Sequence, residues 1–240
     1  MELGVLKKHE LEALRAEILA ELKRRYKKSC GMPKYGGLNK GLLPSEFALV
    51  LSFVRHPKAR LAFVYQRFLG LRIGEACRVR TPDLDLGQRR LWVQSAKGSV
   101  PTSFYLHDEV YAETLAYLRL GLHDEEWLLP AEHRSHGRLP HISPDWARNY
   151  YRGAVDAAGL TMVYGMSEER TSKPPRRLLR VSTHSNRYLF ITQVYKTTHD
   201  LLLTQRLARH RSVKNTQGYV FLDQEEIDRA LVGTFARETI

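Results

Sequence analysis

Six residues of this 240-residue chain are of types that could carry out one piece of chemistry together. Arg72 stands in GLRIGE, Lys97 in SAKGS, His184 and Arg187 in THSNR, His210 in RLARHRS and Tyr219 in TQGYV. Each guanidinium can donate two parallel hydrogen bonds to the non-bridging oxygens of a phosphodiester, a fork that lysine cannot form. A tyrosine phenol is a nucleophile once its proton is drawn off, and nearby cations favour the phenolate against a free pKa of about 10. The set could hold one phosphodiester and attack it. Taken singly, each member has a plainer reading. An isolated His-x-x-Arg pair is a surface salt-bridge set, His210 a helix-end residue, and Tyr219 a core or interface tyrosine.

The elements that must position these residues can be read from periodicity. His184 and Arg187 are three apart, so on a helix they share one face, and Ser182 or Thr183 would cap its start. Helix N-termini favour anions. The chain is predicted helical at 183–196, 200–208, 214–221 and 223–236. Earlier, Pro44 and Glu46 open a helix whose apolar face would be Phe47, Leu49, Val50 and Phe53. Another helix spans 58–69 and stops at Gly70. A further one runs from near Arg72 to about Arg80, ended by Thr81-Pro82-Asp83. Residues 90–95 and 102–107 read as two strands with Lys97-Gly98 in the turn between them, a β-hairpin. Helices follow at 108–120 and 143–159, the latter with Trp146 and Tyr150 on one face. Residues 130–142 read as loop, with His133, His136 and His141 facing DNA in preference to a metal. Residues 160–181 read as a basic loop outside the core. The fold class is mainly α with a small antiparallel sheet.

Lys plus Arg number 38 against 26 Asp plus Glu, giving a net charge of +12, with a pI near 9.8. A polyanion, nucleic acid above all, is the expected partner; a solvated basic surface is the plainer alternative. Two positively charged stretches fit phosphates. Lys23, Arg24 and Arg25 end an amphipathic helix predicted over 5–29, where they complement the helix dipole equally well. Lys173, Arg176, Arg177 and Arg180 lie in the 160–181 loop, which tracks a phosphate backbone or is simply solvated. Two cysteines make no disulfide framework. No apolar run is long enough for a membrane span, and Lys7, Lys8, Glu10 and Glu12 stand where a signal peptide needs apolar residues. The expected setting is the cytoplasm of a prokaryote, at the nucleoid, or a protein encoded by a virus or plasmid. Residues 29–41, rich in Gly, read as a linker between a basic N-terminal helix (1–41 with the linker) and a main domain over 42–240.

The ordered set GLRIGEACRVRTPDLDL, LWVQSAKG, VSTHSNRYLFITQ and RLARHRSVKNTQGYV resembles the tyrosine recombinases, or phage-type integrases, over about residues 42–235. The resemblance implies a DNA-strand-cleaving and rejoining enzyme with a 3′-phosphotyrosyl intermediate. Tyr219 would be the nucleophile, and Arg72 and Arg187 would neutralise the non-bridging oxygens. Lys97 would be the general acid for the leaving 5′-oxygen, His184 would assist proton transfer, and His210 would bond a non-bridging oxygen. Glu75 would buttress an arginine, or form a plain surface pair with Arg72. Neither metal nor ATP is implied, because side-chain cations carry the charge and the covalent link conserves the bond energy. The implied partners are double-stranded DNA and further copies of the chain, the last helix docking in trans to build a tetramer on paired sites. A type IB topoisomerase uses a similar residue set, and a non-catalytic DNA-binding regulator is the alternative of another class. Three departures from the family pattern stand out. Tyr188 replaces a common second histidine, Ala208-Arg209 replaces Leu-Gly before His210, and residues 1–41 stand where typical members carry a helical core-binding domain.

Overall fold

A computed structural model of the protein describes residues 42–94, 101–132, 139–166 and 177–217. The predicted N-terminal helix and linker, Lys97, Lys173, Arg176, Tyr219 and the last helix lie outside the described residues, as do Lys23, Arg24 and Arg25. The chain divides into two units, the larger drawn from Gly37–Leu160 and Val181–Ile240.

The larger unit starts with α1 (Pro44–Ser52) and α2 (Pro57–Phe68), each with proline in its first turn. On α1 the inward stripe is Phe47 and Val50 followed by Val54. Leu49 and Phe53 form a separate i, i+4 row, 44 % and 43 % exposed, so the predicted apolar face was too wide. Helix α2 is buried nearly throughout and is the central element of the core. The predicted helix from Arg72 to Arg80 is one turn only, α3 (Ile73–Ala76). Beyond it the backbone leaves the helix to pair elsewhere: Leu128 N–H donates to the Val79 carbonyl at 3.1 Å, and Arg80 bridges Trp127. A 3-10 turn (Thr81–Asp83) leads into β1 (Leu84–Asp85), a short strand that the sequence pattern did not show.

The predicted hairpin is present as β2 (Arg90–Val93) and β3 (Thr102–Tyr105), antiparallel, with β1 on the other side of β2. Leu91 pairs with Phe104 on the buried face, and Val93 pairs with Thr102. Then come α4 (Asp108–Leu118), α5 (Pro144–Ala157), α6 (Thr183–Thr198), α7 (Leu201–Ala208) and α8 (Lys214–Gln217). Ser143 caps α5 by accepting from Trp146 N–H at 3.0 Å, and Asp200 caps α7 by accepting from Leu202 and Leu203. His141 does not face outward: its ring is buried against Trp127 and its Nδ1 lies 2.9 Å from the Ile142 carbonyl, so it belongs to the core. Among the described residues no helix is long and apolar enough to cross a membrane.

The second unit holds, among described residues, a hairpin where the sequence predicted a loop. Strand β4 (Val163–Met166) pairs antiparallel with β5 (Arg177–Leu179), with a register irregularity between Val163 and Gly165. Val163-Tyr164-Gly165-Met166 is short and without an apolar–polar alternation, and the charge and proline at 173–177 spoke for a loop. Arg177 is exposed on β5, and the Arg180 backbone N–H donates to the Met162 carbonyl at 2.8 Å.

Candidate active site

The carboxylate of Glu75, only 4 % exposed, gathers three guanidiniums. Arg72, the residue before α3, is extended (φ −68°, ψ 150°), and its backbone N–H donates to Glu75 Oε2 at 2.7 Å. Here a glutamate at the third helical position caps the chain entering the turn. The Arg72 side chain folds back to donate from Nη1 to Glu75 Oε1 at 3.1 Å, while keeping about a third of its surface in solvent. Arg187 Nη1 lies 3.9 Å from Glu75 Oε2, and Arg209 Nη2 donates to the same oxygen. Burial pushes the Glu75 carboxyl up, but Arg209, the Arg72 backbone N–H, Arg187 and the Arg72 side chain together hold it below the ordinary carboxylate range. Among these described residues three guanidiniums meet one carboxylate, so the cluster itself carries an excess of two positive charges.

Arg187 is fixed from three sides. It is 1 % exposed, on the inner face of α6, and its Nη1 and Nη2 donate to the carbonyls of Gly70 and Ala208. The Ala208 carbonyl ends α7, where the helix dipole favours a cation, and Gly70 follows the C-cap of α2. Gly70 has φ +63°, and a Cβ there would lie 2.3 Å from Phe190 Cδ1 on α6. Only glycine permits both that backbone conformation and this approach of α6 to α2. Asn186, beside Arg187 and fully buried, accepts from Tyr151 Oη at 2.5 Å and donates to Gln66 Oε1 at 3.4 Å, locking α6 to α5 and α2. At the start of α6 the Ser185 hydroxyl accepts from Ser182 N–H at 3.0 Å, and His184 is exposed in the first turn.

His210 is placed by the end of α7. Arg209 takes a left-handed conformation (φ 55°), its N–H donates to the Arg206 carbonyl at 2.9 Å, and His210 N–H donates to the Gln205 carbonyl at 3.1 Å. These two bonds are those of a Schellman helix end, which the Ala208-Arg209 departure therefore leaves intact. Gln205 Nε2 then donates to the His210 carbonyl at 3.0 Å. The buried imidazole has its Nδ1 2.9 Å from Thr216 Oγ1 on α8. Burial first, then Arg187, Arg72 and His184, depress His210 to about 4, so the ring is neutral at pH 7.

The structure thus brings Arg72, Glu75, Arg187 and His210 together, with His184 close enough for its charge to act on His210. Glu75 is a buried clamp and not a surface pair. Lys97 and Tyr219 lie outside the described residues. Arg177 and Arg180 belong to the separate hairpin unit. Sequence reasoning missed the clamp by Arg209, although its signal was present as an arginine where a helix end favours glycine. It also missed Thr216 and the carbonyls of Gly70 and Ala208, which no side-chain pattern announces.

The sequence profile of the Phage integrase family matches residues 54–226, well over half of the chain. Tyrosine recombinase XerA of Thermococcus onnurineus (strain NA1) is 26 % identical over 199 residues, covering 80 % of this chain and 62 % of that protein. The XerA of Thermococcus kodakarensis is 27 % identical with the same coverage. The chain therefore spans about three-fifths of the length of the curated relatives it matches. Among solved structures, XerA recombinase matches with a TM-score of 0.60 at 21 % identity, over 83 % of this chain and 66 % of that one. XerH site-specific recombinase bound to a palindromic difH substrate matches at 0.60 and 17 % identity, over 80 % and 52 %. A lambda integrase dimer bound to a COC′ core site matches at 0.54 and 21 %, over 83 % and 49 %. The fold is that of tyrosine-recombinase catalytic domains, and the chain belongs to the phage integrase family.

Proposed function

We propose that this chain is the strand-cleaving part of a site-specific DNA recombinase or integrase, acting through a 3′-phosphotyrosyl intermediate. The observation that carries this reading is the Glu75-centred cluster, which gathers Arg72, Arg187 and Arg209 from three distant segments, three guanidiniums on one carboxylate, with His210 next to Arg209 in the chain. A phosphodiester brings one negative charge and gathers a second as the attacking oxygen adds. Donors already fixed where that charge develops are worth about 10²–10³ in rate each. Tyr219 Oη would form the bond to phosphorus as the bond to the 5′-oxygen breaks. The phenolic proton leaves with help from His184, and Lys97 gives a proton to the departing 5′-oxygen. Neutral His210 would donate one hydrogen bond to a non-bridging oxygen. That role requires the tautomer with its proton on Nε2, in which Nδ1 accepts from the Thr216 hydroxyl 2.9 Å away.

Double-stranded DNA is the proposed substrate, in keeping with the net charge of +12 and with the DNA-bound XerH and lambda integrase structures of the same fold. Phosphate contacts are assigned to Lys23, Arg24, Arg25, Lys173, Arg176, Arg177 and Arg180. Assembly into a tetramer on paired sites through the segment after Tyr219 is part of the proposal, as is the division at residues 41 and 42. The test is covalent capture. Incubated with a nicked suicide duplex carrying a cognate site, the protein forms an adduct that survives SDS, and Tyr219→Phe forms none. An equal adduct from Tyr219→Phe would remove Tyr219 from its role.

A further inference from the structure

We propose that Arg209 is a positioning residue of the cleavage site: it occupies one oxygen of the Glu75 carboxylate and so sets how Arg72 and Arg187 are presented to the phosphate. The inference rests on the strand-cleavage reading above.

Four observations converge on this residue. Arg209 is 1 % exposed, so its guanidinium is an interior group and not a surface charge. Its Nη2 donates to Glu75 Oε2, the oxygen that also receives the Arg72 backbone N–H and faces Arg187. Its guanidinium carbon lies 5.5 Å from the ring centroid of Phe104, on β3 of the β2–β3 hairpin. Its backbone immediately precedes His210 in the left-handed turn that places that imidazole. One side chain thereby joins Glu75, the hairpin and the His210 turn.

Stability does not account for it. A left-handed conformation is unfavourable for any residue with a Cβ, and glycine would make the same helix end without strain. Arg209 Nε and Nη1 are buried without a hydrogen-bond partner, a poor arrangement for a group kept only for packing. What arginine adds over glycine is positive charge on Glu75. With Arg209 present, the carboxylate is shared and the cluster keeps two excess positive charges. Without it, Glu75 would be left to Arg72 and Arg187, drawing both inward, and the excess would fall to one. Arg209 also supplies the strongest of the attractions that hold Glu75 ionised.

The test combines single-turnover adduct formation on the suicide duplex with DNA binding by fluorescence anisotropy. The variants are Arg209→Gly, which relieves the backbone and removes the charge, Arg209→Met, Arg209→Lys, Glu75→Gln and the Arg209→Gly/Glu75→Gln pair. The expected result for Gly and Met alike is cleavage slowed about tenfold or more, with DNA affinity changed less than about twofold. Arg209→Lys recovers most of the rate. In the Glu75→Gln background Arg209→Gly changes the rate less than about twofold, because the two act as one unit. The acid limb of the pH–rate profile moves upward in Arg209→Gly, since Glu75 then takes its proton at higher pH. Wild-type cleavage by Arg209→Gly would overturn the proposal. So would parallel loss of cleavage and DNA binding with a lowered melting temperature, or full additivity with Glu75→Gln. Absence of any adduct from the wild-type protein would sink the strand-cleavage reading itself, and Arg209 with it. A wild-type adduct with a fully active Arg209→Gly removes Arg209 alone.

Discussion

At Glu75 one buried carboxylate gathers three guanidiniums, and at His210 burial first, then the same positive field, keeps an imidazole neutral. The second effect has a sign that can be measured. The folded state holds His210 near 4, whereas the unfolded chain titrates near the ordinary value of 6.5. Below pH 6.5 the unfolded state takes up a proton that the folded state refuses, so stability falls as pH drops from 6.5 toward 4. Urea unfolding of the wild type at pH 7, 6 and 5 should show this loss, and His210→Gln should show a shallower one. Equal pH dependence in the two proteins would mean that His210 is not held neutral in the folded state. Arg72, His184, Arg187 and His210 were legible in the sequence because their order and spacing carry a family pattern. The clamp by Arg209 was not, because it depends on a helix end turning back onto Glu75, 134 positions away in sequence.

The helices α2, α5, α6 and α7 were legible, with proline in the first turn of α2 and α5 and Ser or Asp at the start of α5, α6 and α7. They were misread where tertiary pairing overrode periodicity. Residues after Ala76 left the helix to pair with the 127–128 segment, and the β4–β5 hairpin was hidden by the charge around it. Between elements, the contact of α2 with α6 at Gly70 positions Arg187. Gly70→Ala places a Cβ against Phe190 in a backbone conformation that alanine resists. The expected destabilisation is about 2–4 kcal/mol, from the left-handed backbone and the overpacking together. Adduct formation should fall by more than DNA binding, because the Gly70 carbonyl also holds Arg187. Chemical denaturation read alongside adduct formation checks both. A variant as stable and active as the wild type would show that α6 can shift without disturbing the arginine.

Across the whole molecule, the excess of 12 positive charges suits the proposed polyanionic substrate. If that charge acts through phosphates, affinity should drop on the order of 10³-fold between about 50 and 200 mM salt, the expectation for roughly six neutralised phosphates. A drop of less than about tenfold would place the recognition elsewhere. The central claim is that Tyr219 becomes covalently joined to DNA. It is tested most directly by digesting the SDS-stable adduct with trypsin and nuclease and sequencing the modified peptide by mass spectrometry. Cleavage after Lys214 and Arg229 releases residues 215–229. The predicted result is a residual nucleotide phosphate on Tyr219 within that peptide. A modified residue elsewhere, or no modified peptide from a protein that binds the duplex, would contradict the account.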